Sequence, residues 1–451
     1  MSGTHRAGGP GRRWLVLFAV LLLGAVAAGG YRLFFYEGPP DVDAAGPGYW
    51  VSTRGADDAD GSPGHPWRSI AHAVSAAPAG SKIFVRDGTY DPFTVTRPNL
   101  TVMSAPKEHA TVKGVSGVRD GILVAASGTT IADLTVRGCV PKPNADVDIT
   151  GDHGSGIRVH DTSDVTVSGV TVQDSHGTNA AGLPAGCYGI LVTDSQDVHV
   201  TGSEVMHNGA GIVVSGGGRG VVVDGNDVHD QDVIVQNSTA KDDDFGGYGL
   251  AATFVRDNPG PVFRNNTVRD NHGPSTDYGT DGGGIEIYDA ANLTITGNTF
   301  EANDGVLETG TGGRGGCANN VFTGNRAIGG NGPTGFDSDT GLVLRCAAGN
   351  TISNNNFSGL QKFTFLLATG SDFAGSIEGL KITGNTVFRN SGTVVYRLQI
   401  DSGKPTMTID DNTYQTGENA FAVLNGSTSE ANVPYDEWRS TTKFDAHSTM
   451  E

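Results

Sequence analysis

Short runs in which apolar and polar residues alternate recur along most of this chain, each opened by a glycine. They read "GILV" at 121, "GIRV" at 156, "GILV" at 189, "GIVV" at 211, "GLAA" at 249, "GIEI" at 284, "GVLE" at 305 and "GLVL" at 341. Alternation is the period of a strand. A second landmark, Asn-x-apolar, recurs at Asn226, Asn266, Asn298, Asn320, Asn355, Asn385 and Asn412. An interval of 22 residues recurs, from Gly189 to Gly211 and again from Asn298 to Asn320. Longer intervals of 35 or 40 read as one coil plus a loop. Repeats of about 20–25 residues, built of short strands without helices, predict a β-solenoid. One coil cannot bury its apolar face alone, whereas stacked coils pair every backbone amide around a continuous core. The asparagines are expected to stack as an amide ladder that satisfies backbone groups, with no ligand role.

The ends of the chain break the pattern. Residues 37–48, "EGPPDVDAAGPG", read as a linker. Ile70, Ala73, Val74 and Ala77 recur at helical spacing, which predicts a short amphipathic helix over 68–77, ended by Pro78 and Gly80. Such a helix can cap the first coil, and "VPYDEWRSTTKFDAHS" at 433–448 can cap the last, with Trp438 packed over it. At the N-terminus, Arg12 and Arg13 precede an apolar run from Trp14 to Ala28, with Ala25-Val26-Ala27 as a small-residue exit. This predicts either a cleaved signal peptide or a membrane anchor through residues 14–31. In both cases the bulk of the chain lies extracellularly or on the outer face of the cytoplasmic membrane. The expected organisation is a leader or anchor over 1–36, the linker over 37–48, a cap and entry over 49–95, the solenoid over 96–420, and a C-terminal cap and tail over 421–451.

Composition supports an all-β chain: 68 of 451 residues are glycine, about twice the usual share. The net charge of −19, with no Lys/Arg run beyond the extreme N-terminus, excludes a nucleic-acid partner. Export permits disulfides, and the four cysteines fall into two local pairs, so Cys139–Cys187 and Cys317–Cys346 is the expected pairing. Neither pair has zinc-site spacing.

On these residues the chain resembles a known family. Gly55, Asp57, Gly61 to Pro66 and Ala76 to Tyr90 are similar to the N-terminal entry of the pectate-lyase-like superfamily, and the repeats resemble its generic coil. The resemblance covers about 49–448 and implies a single-stranded right-handed parallel β-helix. It is specific for fold and weak for reaction, since this fold carries lyases, hydrolases, epimerases and plain binding proteins. The Gly-His-Gly and Arg-x-Lys of polygalacturonase-like members and the Asp-Pro-His-Glu of alginate epimerases are missing here. The only lysine near the central coils is Lys241, which leaves the pectate-lyase base without a counterpart. No catalytic residue is carried over.

Candidate chemistry therefore rests on strand geometry. In "GIEIYD", Ile285 and Ile287 point to the core, so Glu286 and Tyr288 point outward. The 22-residue step from Asn298 to Asn320, applied to the preceding strand, maps Glu286 onto Glu308 in the next coil, about 4.8 Å away. Aligning the glycines instead shifts the match by one and turns Glu308 inward. Stacked carboxylates repel, so one holds its proton more tightly, which suits acid/base work on a glycosidic bond. The same pair is suited to calcium, the one cofactor this reading raises. Arg345, in the column of Tyr288, can pair with Glu308 or bind a sugar carboxylate, and Tyr288 can donate a proton or stack on a sugar. Arg158 and His160 lie on the same face several coils upstream and are expected to bind substrate in a groove. His272 and Asp281 belong to the long loop before Glu286 and are expected to wall it. Asp242, Asp243 and Asp244 are the candidates for a loop cation site. The expected function is an exported β-helix protein acting on a polysaccharide, as lyase, hydrolase or epimerase, in a groove over coils 284–346. The alternative is a non-catalytic β-helix that binds a cell-surface glycan or serves as a spacer.

Overall fold

The first described strand, Tyr49–Val51, pairs in parallel with Lys82–Val85, and parallel pairing then repeats coil by coil. The structure is a computed structural model. It describes residues 48–140, 153–179, 181–239, 244–330, 340–370, 374–388, 393–400, 405–415, 421–425 and 430–451. The apolar segment 14–31, Asp242 and Asp243 lie outside the described residues.

Each coil contributes one strand to each of three sheets, and each sheet has 13 strands among the described residues. The result is a right-handed parallel β-helix. The first sheet runs from Tyr49–Val51 to Thr408–Asp410, the second from Phe93–Val95 to Glu430–Val433, and the third from Gly88–Tyr90 to Thr449–Met450. Pairing is parallel until Ala422–Asn425 meets Glu430–Val433 antiparallel. Alternation sends every second side chain inward, and like residues stack from coil to coil. In the second sheet Ile157, Ile190, Ile212, Leu250, Ile285, Leu307 and Leu342 form one interior column. One continuous core runs from Val51 to Trp438.

The strand-opening glycines have a steric reason. A Cβ at Gly211 would meet the Gly249 carbonyl oxygen of the next coil at 2.2 Å, so only glycine permits this approach. Gly305 has left that column. Gly283 and Gly284 stand beside Gly305 and Val306, which is why alignment on glycines misleads here.

The asparagines form the expected ladder with one correction. From Asn226 through Asn266, Asn298, Asn325, Asn355 and Asn385 to Asn412, each Nδ2 donates to the Oδ1 of the next, at 2.9–3.1 Å. Asn298 stacks on Asn325, not on Asn320. Asn320 belongs to a separate stack, where its Oδ1 accepts from Leu293 and its N–H donates to Asn350. Asn325 escaped notice because Arg326-Ala327 follows it, which blurs the apolar landmark.

Both ends are covered by helices. The helix α1, Ile70–Ala76, starts at Ser69, whose side chain accepts from the His72 N–H, and buries Ile70, Ala73 and Val74. The helix α2, Tyr435–Thr442, buries Trp438 completely. Its indole stacks on Tyr396 at 4.7 Å between ring centres.

One of the two expected disulfides forms. Cys139 and Cys187 are bonded across 48 residues, whereas Cys317 and Cys346 are buried free thiols. The Cys317 Sγ turns to the Gly310 carbonyl at 2.9 Å, and the Cys346 Sγ accepts the Cys317 N–H at 2.8 Å. The two thiols also hydrogen-bond each other, so the pair joins the same two segments without a covalent bond.

Candidate functional site

The strands Gly283–Tyr288 and Gly305–Gly310 are neighbours in the second sheet, in a register that sets Glu286 opposite Glu308. Ile285 and Ile287 on one strand and Leu307 and Thr309 on the other are buried, so the two glutamates face out. The same column reads Arg158, Leu191, Val213, Ala251, Glu286, Glu308, Val343. The carboxylates therefore sit between aliphatic rungs. Beneath Glu286 the floor is an apolar patch of Tyr188, Leu191, Val213 and Ala251, roofed in part by Phe245.

A cleft of about 500 Å³ opens over this column, and Glu286, Glu308, Tyr288, Arg345 and Asp281 all line it. Two loops make its walls. The segment 244–247 supplies Asp244, Phe245 and Gly246, and the hairpin of Pro274–Ser275 with Gly279–Thr280 supplies Tyr278 and Thr280. Asp244 clamps these loops together. Its Oδ1 accepts the Ser238 N–H, and its Oδ2 accepts the Ser275 hydroxyl and the N–H groups of Thr276 and Asp277, at 2.7–3.1 Å. A carboxylate so occupied is a loop fastener rather than a cation ligand.

Three of the acids that line the cleft stand in unequal settings. Glu308 binds Arg345 Nη1 at 2.7 Å, with both side chains about one-third exposed. Glu286 has no such cation among the described residues: burial first, then the negative charges of Asp281 and Glu308, push its carboxyl well above the ordinary range. Asp281 rises likewise, chiefly through burial, although it accepts the Tyr248 hydroxyl at 2.7 Å. Its second oxygen is buried with no hydrogen-bond partner among the described residues. Tyr248 is pushed up in turn by burial and by Asp281. The site thus holds protons on one side and an ion pair on the other.

The remaining expected residues separate. His160 lies in the column of Tyr288, through Thr193, Ser215 and Thr253, and its Nδ1 meets the Thr193 hydroxyl at 2.9 Å. Arg158 does not project into open solvent. It is 4% exposed and its Nε meets Asp120 at 3.1 Å. Both line a smaller recess of about 340 Å³ that shares Phe254 and Arg314 with the main cleft. His272 stays behind the hairpin, its Nδ1 on Asp304 Oδ1 at 2.8 Å. Tyr248, Phe254 and Arg314 are cleft residues that sequence reasoning missed. Tyr248 had a signal: "YGIL" at 188 and "YGLA" at 248 put a tyrosine before the strand glycine twice. Arg314 had none, because it reaches the rim through the loop 310–320. That loop is folded by Asp289, which accepts the N–H groups of Gly312 and Gly316.

Comparison with known proteins agrees with this architecture. The family model described as "Right handed beta helix region" matches residues 120–315. The structure of XylC with xylose superposes with a TM-score of 0.51 at 10% identity, over 90% of this chain and 86% of that one. The GH87 α-1,3-glucanase of Streptomyces thermodiastaticus strain HF3-3 gives 0.49 at 16% identity, over 84% of this chain and 64% of that one. In sequence, 184 residues are 26% identical to the uncharacterized protein YwoF of Bacillus subtilis (strain 168). That match spans 39% of this chain and 32% of that protein. The chain folds as a right-handed parallel β-helix, and the family model covers its residues 120–315.

Proposed function

We propose that this protein is an exported carbohydrate-active enzyme that cleaves a polysaccharide in the cleft over residues 281–345. The observation that carries the proposal is the asymmetry of the stacked pair: Glu286 is driven toward its protonated form while Glu308 is held by Arg345. Glu286 then serves as general acid toward the leaving oxygen, and Glu308 acts as nucleophile or base. Adjacent rungs lie about 4.8 Å apart, closer to the about 5–5.5 Å of retaining glycosidases than to the about 6.5–9.5 Å of inverting ones. Tyr288 and Phe254, with ring centres 5.9 Å apart, offer aromatic faces to a sugar ring. A sugar-bound fold neighbour, XylC with xylose, supports a carbohydrate ligand.

The test is incubation of the purified protein with a panel of polysaccharides. Reducing ends report hydrolysis, and absorbance near 235 nm reports unsaturated lyase products. Turnover that vanishes in both Glu286→Gln and Glu308→Gln sustains the proposal. Glycan binding without turnover on any substrate would return the protein to the role of a surface binding module.

A further inference from the structure

On the third sheet, away from the cleft, Glu204–Met206 pairs with Asp227–His229, so that Glu204 stands opposite Asp227 and Met206 opposite His229. Val205 and Val228 fill the core, which turns Glu204, Asp227 and His229 outward together. One ligand atom from each of the three lies within 4.8 Å of the other two. His229 is 6% exposed, and its Nδ1 lies 2.6 Å from Asp230 Oδ2. A carboxylate only accepts, so Nδ1 donates to Asp230 and Nε2 is left as the ring nitrogen open to a metal ion. That Nε2 is buried with no hydrogen-bond partner among the described residues, and faces Glu204 Oε1 at 3.5 Å. Asp227 Oδ1 is likewise buried and without a partner, while Asp227 Oδ2 is held by Arg269 Nη2 at 3.2 Å.

The geometry points to a divalent transition-metal site formed by His229 Nε2, Glu204 and Asp227, with Asp230 orienting the imidazole. An unpaired buried nitrogen and an unpaired buried carboxylate oxygen on one strand, beside Glu204 of the neighbouring coil, are costly unless something satisfies both. One imidazole with two carboxylates suits zinc or manganese, whereas calcium and magnesium prefer oxygen alone. The carboxylate–histidine pairing is the outer support that metal-bound imidazoles use. Arg269 holds the far oxygen of Asp227 and so aims the near one. A bound ion would staple the coil of Glu204 to the coil of Asp227, and its role is structural rather than part of the cleft chemistry.

The experiment is calorimetric titration of the full chain, stripped with EDTA, with zinc chloride at neutral pH, alongside melting curves. One equivalent of zinc and a rise in melting temperature are expected. His229→Gln should abolish the uptake, and Asp230→Asn should weaken it about 10–100-fold with the fold unchanged by circular dichroism. His176→Gln, in the neighbouring cluster of His176, His207 and Asp232, should leave uptake intact. If His229→Gln does not fold, the Asp230→Asn titration decides. No uptake by the wild type, uptake unchanged in His229→Gln and Asp230→Asn, or uptake lost only in His176→Gln would each overturn the assignment.

Discussion

Glu286 and Glu308 share one column of the second sheet, yet Arg345 Nη1 stands 2.7 Å from Glu308 while Glu286 has Ala251 on its other side. The cleft thus differentiates two like residues by their neighbours alone. From that difference the first expectation follows. Glu286→Gln and Glu308→Gln should each lower turnover on any cleaved substrate by about 10²–10⁴-fold. A surface pair would change little, since exposed charges contribute under about 1 kcal/mol. Steady-state kinetics with circular dichroism as a folding control decides between them.

Arg345→Met should also cost activity while leaving the fold intact. The pair with Glu308 is about one-third exposed on both sides, so its loss should cost about 1 kcal/mol or less of stability. Glu308 would then stand beside Glu286 without its cation. A melting temperature within a few degrees of wild type, together with a clear fall in kcat, is the expected result.

The pH dependence has a definite sign. Glu286 and Asp281 both bind protons more tightly in the folded chain than in the unfolded one. The folded state therefore holds the extra protons above about pH 4, and stability falls as pH rises from there through the raised values. Melting temperature should decline over this window in the wild type and decline less in Glu286→Gln. Activity that needs the Glu286 proton should fall on the same alkaline side, and Asp281→Asn should move that limb to lower pH by removing one repelling charge.

Thiol counting tests the cysteine arrangement. Denatured, unreduced protein should take up alkylating reagent at Cys317 and Cys346 only, and reduction should expose Cys139 and Cys187 as well. Closing 48 residues is worth about 4 kcal/mol in the chain-entropy account. Cys139→Ser should therefore lower the melting temperature far more than Cys317→Ser does through its lost hydrogen bonds. Mass spectrometry and thermal melts report both.

Trp438 closes the far end of the core. Trp438→Ala would open a cavity against Tyr396 and Phe421 and leave Asp445 Oδ2 without the indole N–H that it accepts at 2.7 Å. A loss of about 3–5 kcal/mol is expected, read from urea unfolding.

The solenoid was legible because its causes are local. Inward alternation and the strand glycines are visible residue by residue, and the column of interior isoleucines and leucines follows from them. The glutamate register was also reached, but by a landmark that fails. Asn298 stacks on Asn325, 27 residues on, and that step would have carried Glu286 to Gly313. The five extra residues lie in the turn 310–320, after Glu308, so the strand itself still repeats at 22. The 22-residue step holds for the strand because Ile285 then meets Leu307 in the core. The cleft walls were not legible. Asp244 reads as one of three loop aspartates, and only the folded hairpin makes it a clamp. Arg158 reads as a free outward cation until Asp120, on the preceding strand of the second sheet, is seen beside it.

The asparagine ladder has a direction. Each side-chain amide accepts from the N-terminal side and gives one of its two N–H bonds toward the C-terminus, from Asn226 to Asn412, and the last Nδ2 points to Asp445 Oδ1 at 3.4 Å. Seven aligned amide dipoles therefore end, at their positive pole, on a buried acid, much as a helix N-terminus ends on an anion. That acid is also gripped by Trp438, Tyr414 and Ser448. The C-terminal segment is thus the electrical terminus of a polarised wire as well as a lid. Cutting the chain before Asp445 would leave that pole facing water, and the coils would loosen from that end first.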